Sequence, residues 1–442
     1  MDKQKVLANV TNLTAEQLFD EINKDTVTLE ELKSTDNLDI TKRKKIEDLQ
    51  KQADLKEKEA WERARYGNEM ILSDYISNFP TGKHVQEAKD KIQYLEQERR
   101  RTQAAKQEIL DNLKRNSNSL TPYQINNHLN NNTISEADLI ECGFPKYIIE
   151  VIKGNINPPY LELGVTPNSI PEGYTEVYFW GIPGSGKTCA LAAILSTAEK
   201  MGYLEIAIGP GFDYMTRLKN IFVDDNAILP PPTNVEETQY LPFTLKKTNE
   251  KFARSVSLVE LSGEIFQCFL KKNANKQLFD QHERTFNTLM NFLKGKNRKI
   301  HFFFIDFDKE NRKDDDGYIQ SDYLNSAATF FKNHDIFSKT TDAIYLVLTK
   351  SDLMPCKKEE RTAFAKEHLQ KHNFTAFINA LKARCKQHSI NAGKLTVEPF
   401  SLGRVYAKQI CNFDNSAAIK FIDILIDRIE PSKKSILDVF NK

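Results

Sequence analysis

No apolar run in this chain approaches the roughly twenty residues needed to cross a bilayer, so no segment is expected to span a membrane. The opening residues Met1-Asp2-Lys3-Gln4-Lys5 lack the apolar core of a secretory signal, and the expected location is cytoplasmic. Net charge is nearly absent as well. With 62 basic against 61 acidic side chains, there is no global attraction to nucleic acid or an anionic surface. The six cysteines (Cys142, Cys189, Cys268, Cys356, Cys385, Cys411) include no C-x-x-C pair, which argues against a zinc or disulfide framework and for reduced thiols. What remains is a polar chain of 442 residues, 28% of them charged, long enough for two or three domains.

Residues 1 to about 154 carry helical periodicity, and two stretches in them look alike. One runs from Gln17 to Leu32 and the other from Gln124 to Leu139. Each sets Thr28 or Ser135 three residues before Glu31 or Asp138, a capping-box spacing for a helix start. The pattern predicts two copies of a small helical module, at 1–50 and 116–156. Between them, at 51–115, lies a charged helical hairpin similar to tetratricopeptide-type units, interrupted once where Pro80 and Gly82 break it. The run Glu98-Arg99-Arg100-Arg101 is read as a solvated helix face, since acidic residues are interleaved with it. Neither module gathers its cations on one helix as DNA docking requires, so this half is expected to contact a protein partner. A proline-rich linker at 157–173 (Pro158, Pro159, Pro167, Pro171) follows.

Gly181-Ile182-Pro183-Gly184-Ser185-Gly186-Lys187-Thr188 matches the phosphate loop G-x-x-x-x-G-K-[ST] without a mismatch. A β-rich run, Val177–Trp180, leads in, and a helix-forming run from Ala190 leads out. The glycines let successive N–H groups turn toward a phosphate, Lys187 adds a point charge, and the Thr188 hydroxyl is a Mg²⁺ ligand. Cys189 follows directly, where oxidation would disturb the nucleotide. Strand patterns then recur at Leu204–Ile208, Tyr240–Leu245, Val256–Leu261, Ile300–Phe307, Ala343–Thr349 and Leu395–Phe400. Helical runs lie between them at 279–293, 321–333 and 358–387, and a last helix covers Ser416–Ile429. This alternation predicts an α/β domain at 174–442 built on a mostly parallel sheet flanked by helices.

Two further motifs bear on the base and the switch. Thr349-Lys350-Ser351-Asp352 ends an apolar strand and resembles the guanine-reading [NT]-K-x-D of GTPases. Asp352 would accept hydrogen bonds from guanine N1–H and the 2-amino group, a donor pair that adenine lacks. Glu260-Leu261-Ser262-Gly263 resembles the D-x-x-G switch, with glutamate replacing aspartate. Phe400-Ser401-Leu402-Gly403 resembles the loop that contacts the base.

Together these motifs make the C-terminal half similar to a P-loop GTPase domain of the translation-factor-related clade, Ras- and Era-like. The layout is similar to bacterial proteins in which a helical adaptor precedes such a domain. The resemblance implies GTP and Mg²⁺ as ligands and hydrolysis by water. It also implies nucleotide contacts from Gly181, Pro183, Gly184, Ser185, Gly186, Lys187, Thr188, Cys189, Gly263, Thr349, Lys350, Asp352, Ser401 and Leu402. Metal ligands would be Thr188, Glu260 and a switch threonine, Thr233 with Thr238 in reserve. Lys187, Thr233 and Glu264 would act in the reaction, the last occupying the water-orienting position. A carboxylate there repels the γ-phosphate, so turnover is expected to be slow without a partner. Two rival readings stand. One is a P-loop ATPase with Asp306 as its metal-side acid; the other is a nucleotide-binding scaffold that hardly turns over. Arg217 could act as a finger in cis but reads more readily as an exposed surface arginine, His301 reads as structural, and Asp314-Asp315-Asp316 reads as a solvated turn rather than a calcium loop.

Overall fold

A computed structural model of the chain describes residues 2–154, 161, 169–206, 208–209, 211–230, 238–278, 280–314, 316–371 and 373–430, without the side chains of 280, 281 and 371. Thr233 and most of the expected linker, including Pro158, Pro159 and Pro167, lie outside the described residues. The chain divides into two compact units, Met1–Asp111 and Asn112–Lys442.

In the first unit, α1 (Lys3–Ala8), α2 (Ala15–Asn23) and α3 (Leu29–Lys33) pack with the start of α4 (Ile40–Ala64). They enclose Val6, Val10, Leu18, Val27, Leu32 and Ile46. The capping box of α3 forms as its spacing predicts: Thr28 Oγ1 accepts the Glu31 N–H at 3.2 Å, and the Glu31 carboxylate accepts the Thr28 N–H at 3.1 Å. The charged segment that follows is broken twice rather than once, into α4, α5 (Glu69–Asn78) and α6 (Val85–Arg115). The extra break sits at Gly67, where a Cβ would lie 2.8 Å from Ile71 Cβ. Asn68 then accepts the Ile71 N–H and starts the next helix. The Arg99 side chain of the basic run is exposed and pairs with Glu69 at 3.2 Å.

The second unit begins with α7 (Pro122–Asn130), α8 (Glu136–Glu141) and α9 (Lys146–Lys153). Ser135 and Asp138 form the other capping box. Next come β1 (Thr175–Trp180), α10 (Lys187–Lys200), β2 (Leu204–Glu205), α11 (Phe212–Lys219), β3 (Asn226–Ile228), β4 (Gln239–Leu245) and β5 (Arg254–Glu260). After these run α12 (Ile265–Asn273), α13 (Asp280–Lys294), β6 (Arg298–Asp306), α14 (Gln320–His334) and β7 (Thr341–Thr349). The helical run expected at 358–387 is split into α15 (Arg361–Lys371) and α16 (Thr375–His388). The chain closes with β8 (Thr396–Pro399), β9 (Gly403–Tyr406), β10 (Ile410–Phe413) and α17 (Ser416–Arg428).

Seven strands form the main sheet in the order β2-β4-β5-β1-β6-β7-β8. β5, β1, β6, β7 and β8 are mutually parallel, while β2 and β4 pair antiparallel at one side. Side chains alternate faces along each strand. On one face Tyr178, Trp180, Phe303 and Leu346 meet α12, α14 and α16. On the other, Val177, Phe179, Phe302 and Val347 meet α10, α11 and α17. Both faces are therefore covered, as a largely parallel sheet requires.

A second sheet, β3-β10-β9, was not expected from the sequence. The α7–α9 module docks on it. Ala407 N–H donates to Ser117 O (2.9 Å), Lys408 N–H to Asn118 Oδ1 (2.8 Å), and the Phe144 and Tyr406 rings pack together.

Candidate nucleotide site

Parallel strands bring the C-terminal ends of β5, β1, β6, β7 and β8 to one edge of the sheet, where ligands of open α/β sheets collect. The phosphate loop leaves β1 at that edge. Gly184 (φ 72°) and Gly186 (φ 90°) adopt the left-handed backbone that only glycine takes freely, and Gly186 caps α10. Lys187 is buried, and its Nζ donates to the carbonyls of Gly181 (2.7 Å) and Ile182 (3.2 Å). Burial, reinforced by the nearby Lys309 charge and opposed by Glu260, pulls its pKa down to about 8.

Glu260 ends β5, next to β1, and the Thr188 hydroxyl donates to its Oε1. Its other oxygen accepts from Tyr214 on α11 at 3.0 Å. Burial raises the Glu260 carboxyl above the ordinary range, against the Thr188 bond, the Lys187 charge and the Tyr214 bond. Gly263 lies flush against the phosphate loop, so close that a Cβ on it would fall 2.3 Å from Pro183 N. Glu264 is the N-cap residue of α12, and its carboxylate meets His282 Nε2 at 2.9 Å.

On the far side of β1, Thr349 Oγ1 donates to Ser185 O of the phosphate loop at 3.0 Å and lies 3.2 Å from Ile305 O. Asp352 follows three residues later. Its Oδ1 accepts from Ser401 Oγ at 2.7 Å, and Ser401 Oγ also accepts the Gly403 N–H. Ser351 N–H to Phe400 O (3.1 Å) and Phe400 N–H to Leu348 O (2.9 Å) lock these two loops together. The Leu402 carbonyl accepts the Asp414 N–H. Lys350, with φ 55°, reaches back to Asp306 (3.0 Å) and Asp308 (3.2 Å).

The structure places each of the remaining sequence candidates. Asp306, the acid of the rival ATPase reading, is buried against Lys350, whereas Glu260 is the carboxylate bonded to Thr188. Arg217 is exposed on α11. Thr238 is buried just before β4. Burial pushes the Cys189 thiol up to about 12, which leaves little thiolate at neutral pH. His301 is a core residue; its Nδ1 accepts from Trp180 Nε1 at 3.0 Å. Asp314 closes a turn by accepting the N–H groups of Asp316 and Tyr318. Tyr214 and Lys309 were missed. Lys309 sits three positions past the end of a strand beside β1, and that placement was its only signal.

No family model and no curated protein matches the sequence. Solved structures do match. One is a crystal structure from Plasmodium falciparum described as nucleolar GTP-binding protein 1, which is 11% identical, with a TM-score of 0.26. The match covers 58% of this chain and 89% of that one. A likeness so distant assigns no ligand.

Among the described residues, no group of three or more His, Cys, Asp or Glu side chains is arranged to hold a metal. A Mg²⁺ ion held largely by phosphate and water oxygens needs few protein ligands, and the Thr188–Glu260 pair offers two oxygen donors beside the loop. No helix among the described residues is long and apolar enough to cross a membrane.

Proposed function

We propose that this chain binds GTP with Mg²⁺ and hydrolyses it to GDP and phosphate, as a cytoplasmic regulatory switch whose N-terminal helices engage a protein partner. One observation carries the reading: Asp352 is held by Ser401 on a loop whose Thr349 is bonded directly to the phosphate loop. A base seated at Asp352 and phosphates seated at Lys187 would belong to one molecule. Asp352 would accept from guanine N1–H and the 2-amino group, with Leu402 and the Lys350 stem flanking the ring.

Thr188 and Glu260 would hold Mg²⁺, completed by Thr233 or Thr238; the ion, when bound, neutralises phosphate charge. Lys187 and the loop N–H groups orient the phosphates, and the Gly263 N–H faces the last of them. Glu264, steadied by His282, orients water, at the cost of repulsion that keeps turnover slow. The ATPase reading is disfavoured by the Lys350–Asp306 pair. The switch reading is supported by the second sheet. β9 follows the Ser401 loop directly, and β10 joins it to β3, which precedes the Thr233 segment in sequence.

Single-turnover phosphate release, with protein in excess over GTP, tests hydrolysis. Release of one phosphate per bound GTP is expected, slow but complete. GTP recovered intact after prolonged incubation would leave the scaffold reading in its place.

Tyr214→Phe gives a finer check. Losing a hydrogen bond to a buried carboxylate raises the Glu260 pKa further. Metal binding needs the ionised form, so Mg²⁺-dependent affinity falls as pH drops through that pKa. The variant should lose it at a higher pH than wild type, read from GTP titrations with and without Mg²⁺. An unmoved midpoint would remove Tyr214 from the site.

A further inference from the structure

The loop after β6 places an unexpected cation on the phosphate loop. A Cβ added to Gly184 would lie 2.6 Å from Lys309 Nζ, so the ammonium rests directly over the loop where a side chain is missing. Lys309 has acids as near neighbours in sequence, yet Asp306 and Asp308 are both taken by Lys350, and Glu310 pairs with His368 at 2.8 Å. Among the described residues, no carboxylate lies within ion-pair distance of Lys309 Nζ.

A cavity of about 320 Å3 opens beside it, walled by Pro183 of the phosphate loop, Gly263 of the switch segment, and Lys309, Arg312 and Lys313. Asp314 also lines it, with one carboxylate oxygen bonded to Tyr323 and the other accepting two backbone N–H groups. Burial lowers the Lys309 pKa against the opposing attraction of Asp306, with the charges of Lys350 and Arg312 adding to the lowering. A half-buried cation with no carboxylate at ion-pair distance among the described residues, held against a loop built for phosphates, is placed for an anion from outside.

Resting on the guanine-nucleotide reading above, we propose that Lys309 supplies a cation in cis to the β- and γ-phosphates, so that triphosphate binding and turnover depend on the loop after β6. Charge balance favours such a group. Glu260 and Glu264 both bring negative charge toward the terminal phosphate, and Lys187 is the phosphate loop's own single lysine. A cation fixed in a partly dry site acts on developing charge without reorganising at the moment of reaction.

The test compares wild type with Lys309→Met, Lys309→Gln and Lys309→Arg, using GTP and GDP titrations with Mg²⁺ and single-turnover phosphate release. Both uncharged variants should bind GTP about tenfold more weakly, lose less affinity for GDP, and release phosphate about a hundredfold more slowly. Lys309→Arg should restore most of the GTP affinity. Thermal melting without nucleotide, expected at or above that of wild type, shows that the fold is kept. Uncharged variants that bind GTP and turn it over like wild type would overturn the role of Lys309. Wild-type protein that binds no guanine nucleotide would instead overturn the reading on which it rests.

Discussion

Asp352→Asn is expected to weaken GTP binding by on the order of a hundredfold, leaving the fold intact. The carboxylate offers guanine two acceptors for its N1–H and 2-amino donors. Asparagine keeps one acceptor and turns an N–H₂ toward a donor, so a buried polar group is left unmatched. The same change should improve binding of xanthosine triphosphate, which has a carbonyl where guanine has the 2-amino group. Ser401→Ala should follow in the same direction with a smaller loss, because it removes only the bond that holds Asp352 at 2.7 Å. Titration of both variants with the two nucleotides checks this. Unchanged GTP affinity in Asp352→Asn would show that the base sits elsewhere.

Lys187→Ala should abolish measurable nucleotide binding while making the nucleotide-free protein more stable. Burial pulls the lysine from its ordinary value of 10.5 down to about 8, so holding it charged in the fold costs about 3 kcal/mol. The sign follows from proton counting. Between about pH 8 and 10.5 the unfolded chain keeps this proton and the folded chain does not, so stability rises with pH across that window. Lys187→Ala should flatten that rise and lift the melting temperature at neutral pH. Wild-type protein should also take up a proton on binding nucleotide above pH 8, seen as a buffer-dependent heat. A variant that loses nucleotide and also melts lower would contradict this account of Lys187.

Much of the second unit is legible in the sequence because the relevant signals are local. The strand, glycine turn and helix around Lys187 are contiguous, and the apolar runs read as ending at Leu261 and Thr349 give strands that end at Glu260 and Thr349. The antiparallel pairing of β4 was not legible. Pro242 is tolerated there because the short β2 covers only the Thr244–Leu245 end, leaving its open side without a strand partner. The β9–β10 hairpin was missed for a different reason. Its turn is Ala407-Lys408, both at positive φ, with no glycine or asparagine to announce it. What holds the turn is distant in sequence: the Ser117 carbonyl and the Asn118 side chain. The break between α15 and α16 is likewise set from outside, since Asn325 of α14 binds both the Asn373 carbonyl and the Phe377 N–H. Tyr214 and Lys309 belong to no motif, and only the fold brings them to Glu260 and Gly184.

The central claim is that one sheet edge holds both a triphosphate and the guanine attached to it. The direct measurement is the affinity of the wild-type chain for GTP and ATP, each with Mg²⁺, in parallel titrations. GTP should bind at least about a hundredfold more tightly, since adenine leaves the Asp352 carboxylate without its donor pair. ATP binding as tightly as GTP would contradict the account.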